Sequence, residues 1–285
     1  MVIIHLKGGL GNQMFQYAFG RSLSIKRGAE LKLDILDSPI IGIKHDIERP
    51  YLLSNFNINA EIATKEEVLK ERKPFLLLLS KIWRRVSRYD YFKFDTSFFK
   101  KGSDYFEGFW WQSEKYFKDI RNQLLSEYTL KASFGTNAEK ITTVIRQAES
   151  PVSIHIRRGD FASDQTTREH HGLLSNDYYI KAIELINRKV SFATFFIFSD
   201  DIEWVKTNLQ LPSTTLFVSG GTILDTEELF LMTLCKHHVI ANSSFSWWGA
   251  WLGTHPEKIV IAPQKWITDP SVDASDVYPE GWIKI

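Results

Sequence analysis

Short apolar runs alternate with amphipathic stretches along this chain, and the second half shows the pattern most plainly. Ser153-Ile154-His155-Ile156 is a β-branched run that ends abruptly in Arg157-Arg158-Gly159-Asp160. A second run, 192–198, ends in Ser199-Asp200-Asp201, and a third, Val239-Ile240-Ala241, ends in Asn242-Ser243-Ser244. Between them the apolar spacing predicts helices over 177–188, 202–209 and 225–236, with an aromatic helix over 245–252. Strands alternating with helices predict a parallel, doubly wound α/β sheet. In such sheets ligands bind outside the carboxyl ends of the strands, so this fold gathers the three polar clusters at one edge.

The N-terminus repeats the theme. A strand over 2–6 leads into the loop Gly8-Gly9-Leu10-Gly11-Asn12-Gln13, and a helix over 14–26 stops near Gly28. The loop lacks the third glycine of the dinucleotide fingerprint, where Met14 stands, and no Gly-Lys-Ser/Thr follows. A strand over 105–111 with paired Trp110-Trp111 precedes a helix over 114–127. The turn cluster 133–137 places a domain boundary near residue 135, giving units 1–135 and 136–285.

The strand ends carry the candidate chemistry. Side chains alternate along a strand, so His155 and Arg157 share one face and Ile154, Ile156 and Arg158 the other. Arginine offers a charged fork to phosphate oxygens at any physiological pH. Ser243 or Ser244 is a suitable N-cap, and a helix start offers free N–H groups to an anion. Together these outline a nucleotide-diphosphate site. The plainer alternative is a structural Arg–Asp pair at a strand end. Arg158 fits that alternative best, with Asp160, Asp200 or Asp201 as its partner.

The opening Gly8-Gly9-Leu10-Gly11-Asn12-Gln13-Met14-Phe15-Gln16-Tyr17-Ala18 resembles that of the α-1,2-fucosyltransferases. His155-Ile156-Arg157-Arg158-Gly159-Asp160 resembles the His-x-Arg-Arg-x-Asp motif that this group shares with the core α-1,6- and protein O-fucosyltransferases. Phe198-Ser199-Asp200-Asp201 and the run from Asn242 through Ser243-Ser244-Phe245-Ser246-Trp247-Trp248 to Leu252 complete the set in family order. The resemblance spans roughly residues 3–266, while 40–101 carries no recognisable motif.

The resemblance implies a GT-B glycosyltransferase of two Rossmann-like domains, the C-terminal one holding GDP-fucose and the N-terminal one the acceptor. By motif position, His155 and Arg157 contact the nucleotide and pyrophosphate, and Asp160 orients the arginines. Glu228 falls where relatives pair an acid with guanine. Asn242, Ser243, Ser244 and Phe245 line the phosphate and base pocket. Gly11 and Asn12 approach the pyrophosphate from the other domain, and Arg158, Asp200 and Asp201 complete the donor set. The reaction implied inverts GDP-β-L-fucose to an α-linkage on the 2-hydroxyl of a terminal galactose. A general base is not fixed: Asp164, Glu169 and His171 follow the arginine motif, and His171 has the suitable intrinsic pKa. Trp110, Trp111 and Trp248 are either core residues or platforms for a sugar.

Composition narrows the partners. Formal charge is +1, which gives no basic face for nucleic acid. The single cysteine, Cys235, lies in an apolar pattern and forms no intrachain disulfide. No two aspartates stand in the Asp-x-Asp spacing that metal-using GT-A transferases employ, and His170-His171 are not at ligand spacing, so a metal-independent reaction without a cofactor is expected. The first strand begins at Val2 and no apolar run approaches the ~18 residues of a membrane helix, so a bacterial, cytoplasmic type of enzyme is expected. Residues 74–88 are apolar and then basic, which fits peripheral contact with the inner membrane or an ordinary helix with a solvated end. The alternatives to α-1,2 transfer are another GDP-fucose transfer, such as α-1,6, or non-catalytic binding of a nucleotide sugar or glycan.

Overall fold

The computed structural model describes residues 1–36, 50–72, 91–100, 102, 104–107 and 110–285, the side chain of Asp160 excepted. They form two units, Met1–Lys131 with Val272–Tyr278, and Ala132–Ser271 with Pro279–Ile285. Residues 272–278, beyond a boundary at 135, thus join the first unit. There Lys93 pairs with Asp273 at 2.7 Å, Lys115 pairs with Asp276, and the Phe94 N–H donates to Asp276 at 2.9 Å.

The first unit is built on a parallel sheet of four strands: β1 (Val2–His5), β2 (Leu31–Asp34), β3 (Glu61–Ile62) and β4 (Tyr105–Phe106), in the order β3-β2-β1-β4. Helix α1 (Leu10–Arg27) starts four residues earlier than its apolar pattern suggests. The polar residues that read as loop instead secure its first turn. Gly8, at φ 77°, turns the chain, and the Asn12 and Gln13 N–H groups donate to the Gly9 carbonyl. The Gln13 side chain donates to the carbonyls of Gly8 and Pro50 and accepts from the Leu52 N–H. Farther along, the Tyr17 hydroxyl and the Arg21 guanidinium both donate to Glu127.

Among the described residues this unit also has three shorter α-helices: α2 (Lys65–Glu71), α3 (Ser97–Lys100) and α4 (Arg121–Glu127). The expected helix 114–127 is broken into two 3-10 turns and α4. Phe117 separates the turns at φ −145°. The break lets the adjacent rings of Tyr116 and Phe117 both be buried, which one face of a continuous helix does not favour. Among the described residues of the strand expected over 105–111, pairing is seen at β4, and Trp111 takes a positive φ of 47°.

The second unit carries six parallel strands: β5 (Ser150–Ile156), β6 (Ala193–Ser199), β7 (Thr215–Phe217), β8 (His237–Val239), β9 (Val260–Ala262) and β10 (Ile283–Lys284). Their order is β10-β9-β8-β5-β6-β7. Read across the sheet, the order reverses between β5 and β8, as in Rossmann-type sheets. The helices are α5 (Thr136–Gln147), α6 (Gly159–Ser163), α7 (Gln165–His171), α8 (Asn176–Lys189), α9 (Ile202–Asn208), α10 (Asp225–Thr233) and α11 (Ser244–Leu252). One sheet face buries Val152, Ile154 and Ile156 against Tyr179, Ala182 and Ile186 of α8. The other buries Phe196 and Phe198 against Ala138 and Ile145 of α5 and Leu231 and Met232 of α10. With both faces covered, the central strands read as apolar until each reaches its carboxyl end.

Among the described residues no helix is long and apolar enough to cross a membrane. The apolar-then-basic segment 74–88 lies outside the described residues.

Candidate active site

The site in the second unit grows from the carboxyl end of β5, beside the sheet reversal. His155 is the penultimate residue of β5 and only 5% exposed. Burial, reinforced by the Arg157 charge, drives its imidazole down to about 3, so the ring is neutral. Its Nδ1 is buried with no hydrogen-bond partner. A native interior rarely leaves such a nitrogen unmatched, and a ligand oxygen or nitrogen would complete it. The ring lies 5.6 Å from Phe245, which brings the end of β5 to the start of α11.

The two arginines part company after β5. Arg157 pairs with Asp200 at 2.7 Å, and its guanidinium lies 5.6 Å from the centre of the Phe161 ring. Arg158 lies 3.5 Å above the Trp204 ring and its Nε reaches Asp201 at 3.3 Å. The Arg158 N–H donates to Asp200 at 2.8 Å, which ties the turn to the end of β6. Gly159 is required by this closeness, because a Cβ there would stand 2.5 Å from the Asp200 carboxylate. Asp201 also caps α9 by accepting the Trp204 N–H. Asp160 lies in α6, and its side chain is outside the described residues.

Across the reversal, β8 leads through Asn242 into α11. The Asn242 side chain is buried, and its amide donates to the His171 carbonyl at 2.7 Å. Asn242 thus fixes the segment after β5 to the segment after β8. Ser243 occupies the N-cap position of α11, but its hydroxyl makes no cap bond. Ser243, Ser244 and Phe245 are all partly exposed at this helix start. The hydroxyls and first-turn N–H groups there suit an anion.

Glu228, on α10, is partly buried. Burial, joined by the Asp225 charge and opposed by bonds from Ser219 and Gly220, pushes its carboxyl up to about 7. The neighbouring Glu227 is structural, since it accepts the N–H groups of Gly135 and Leu224 at 2.7 and 2.9 Å. His171 stacks on Phe161 at 4.7 Å and 7°, so the Phe161 ring bridges it to Arg157. Asp164 caps α7 through the Thr167 N–H, and Glu169 accepts from Gln165. Phe161, Trp204 and Ser219 join the site without a motif of their own. Their cue in the sequence is weak, because each acts only through a neighbour brought close by the fold.

In the first unit, Gly11 is buried within the first turn of α1, and Asn12 accepts a 2.8 Å bond from Gln112. The tryptophans divide. Trp111 stacks on Phe19 at 4.3 Å and Trp248 is fully buried, so both are core rather than sugar platforms. Trp110 is partly exposed beneath the Lys7 ammonium. Cys235 is buried.

Two Rossmann-like units of this kind define the GT-B fold. The crystal structure of NodZ α-1,6-fucosyltransferase soaked with GDP-fucose shares this fold, with a TM-score of 0.52 and 12% identity over 88% of this chain and 91% of that one. All of residues 1–285 match the profile of Glycosyl transferase family 11, and the chain belongs to that family. It is 37% identical to an Escherichia coli alpha-1,2-colitosyltransferase over 100% of this chain and 99% of that protein. It is 31% identical to the Escherichia coli O-antigen biosynthesis glycosyltransferase WbnK, over 98% and 99% of the two lengths.

Proposed function

We propose that this glycosyltransferase moves L-fucose from GDP-β-L-fucose to the 2-hydroxyl of a terminal galactose on a glycan, with inversion and without a metal. The observation that carries this reading is the unmatched His155 nitrogen beside the Arg157 charge at the β5–β8 reversal. The hydroxyl attacks the anomeric carbon, the bond to the diphosphate breaks, GDP departs with the electron pair, and the hydroxyl proton is released to solvent. Arg157 and the start of α11 take the growing negative charge, a preorganised electrostatic role. His155 completes its hydrogen bonding on the nucleotide. Glu228 accepts the guanine N–H groups in its ionised form.

Supporting parts follow from their contacts. Asp200 and Asp201 hold the arginine forks apart, and Asn242 ties down the segment that carries His171. By motif position Gly11 and Asn12 are assigned to the donor-binding set. By motif position Asp160 steadies the arginines, and His171 borders the reacting centre. Because both aspartates are matched with arginine, the diphosphate is left to the protein's own cations rather than to a divalent ion.

The colitosyltransferase relative favours α-1,2 linkage and makes the donor sugar the variable to test. GDP-fucose and GDP-colitose are therefore assayed side by side for free GDP, with and without a galactose-terminated oligosaccharide. Acceptor-dependent GDP release supports transfer. Binding of either donor without release overturns it in favour of a non-catalytic module.

A further inference from the structure

The segment after the two arginines packs back onto one of them. The Arg158 carbonyl accepts the Ala162 N–H at 2.7 Å, so the chain turns at once after β5 and brings Phe161 back beside Arg157. The Phe161 residue is only 8% exposed. Its ring centre lies 5.6 Å from the Arg157 guanidinium, and the His171 ring stacks on it at 4.7 Å and 7°. All of these residues lie in the second unit.

His171 is in turn held through the backbone around it. Its carbonyl accepts the buried Asn242 amide at 2.7 Å. One residue earlier, the His170 carbonyl accepts the Thr268 N–H at 3.1 Å and the Thr268 hydroxyl at 2.6 Å. Gly172 then turns the chain at φ 75°, where a Cβ would stand 2.9 Å from the Thr268 methyl. The contacts thus run from anchored backbone to the His171 ring, from that ring to Phe161, and from Phe161 to Arg157. Asp200 meets one nitrogen of the fork at 2.7 Å, and the guanidinium carbon stands over the Phe161 ring. A two-pronged contact with phosphate oxygens depends on the direction of the fork as well as on its charge. An aromatic face shielded from water attracts a cation more strongly than an exposed one does.

We infer that Phe161 is a positioning residue that holds the Arg157 fork in its diphosphate-binding orientation, and that the His171 ring serves by stacking on Phe161 rather than by taking a proton. This rests on the reading of Arg157 as the cation for the diphosphate. The plainer alternative is that the two rings only pack α6 against α7.

GDP titration of the full chain in a double-mutant cycle separates the two. Phe161→Leu should weaken GDP binding roughly 5–30-fold, the strength of a shielded cation–π contact, and Phe161→Tyr, which keeps the ring, should recover most of the loss. In an Arg157→Ala background, Phe161→Leu should change GDP affinity by less than about twofold, because the group it positions is gone. An equal loss in both backgrounds is what packing alone gives, and it overturns the inference. So does parental GDP affinity in folded Phe161→Leu, which leaves the Arg157 reading standing. If Phe161→Leu fails to fold, Phe161→Met is read in the same way. His171→Ala should lower GDP affinity and kcat together, and His171→Phe should recover both, since a phenyl ring stacks but carries no proton. A folded His171→Phe that binds GDP like the parent but turns over roughly 10²-fold slower gives His171 a proton-transfer role and overturns the stacking role. Absence of GDP binding by the unmodified chain overturns the donor reading itself, and this inference with it.

Discussion

Arg157 and Asp200 meet at 2.7 Å across the carboxyl ends of two neighbouring strands. The carboxylate holds the guanidinium in place, and both side chains keep about a quarter of their surface exposed. Arg157→Lys retains charge and loses the fork. Losing charge stabilisation of this kind costs on the order of 2.7–4 kcal/mol, or roughly 10²–10³ in kcat. Turnover is expected to fall by that factor with the melting temperature unchanged. Near-parental turnover of folded Arg157→Lys would remove the diphosphate from Arg157.

Arg158 is predicted to behave differently, because Trp204 and Asp201 occupy it. Arg158→Ala should lower the melting temperature by about 2–4 °C, which corresponds to about 1 kcal/mol in a chain of this size. Its GDP affinity should stay close to the parent's. Calorimetric melting beside GDP titration checks this. Unchanged melting with weakened GDP binding would place Arg158 on the ligand.

Glu228 sets a pH signature. Its carboxyl stands at about 7 in the folded chain, above its ordinary 4.5. A raised carboxyl favours the protonated folded state, so this contribution to stability is complete below about 4.5 and is lost as pH rises through about 7. Guanine N–H donors need the ionised form, so GDP binding should tighten as pH rises through about 7. Glu228→Gln should flatten both dependences. GDP affinity of the parent that weakens over that rise would contradict the guanine role.

Metal removal is the fourth test. Asp200 and Asp201 are each matched with an arginine, so turnover should survive excess EDTA. Mild stimulation by Mg²⁺ through sequestering released GDP is compatible with this. Abolition by chelator, reversed by a stoichiometric divalent ion, would give those aspartates a ligand role.

The sequence reveals most about the second unit. Strands buried on both faces are apolar along their length, so the abrupt polar endings at Arg157, Asp200 and Asn242 stand out. What it hides depends on distant partners. His170 and Thr268 are 98 residues apart, and neither stands in a motif that announces the other. The return of 272–278 to the first unit rests on Lys93 and Lys115, far away in the chain. Local chemistry also misleads at Gly8–Gln13, where glycines suggest a loop while Gln13 pins the first turn of α1. The adjacent rings Tyr116 and Phe117 defeat a helical reading because both are buried.

The most direct measurement is the structure of the product. Purified protein is incubated with GDP-fucose, or in parallel GDP-colitose, and a galactose-terminated oligosaccharide, and the product is analysed by mass spectrometry and NMR. The account predicts one added deoxy sugar in α-linkage to the galactose 2-hydroxyl, with one GDP released per product. A different linkage would contradict the α-1,2 assignment, and a donor that is bound but never consumed would contradict transfer altogether.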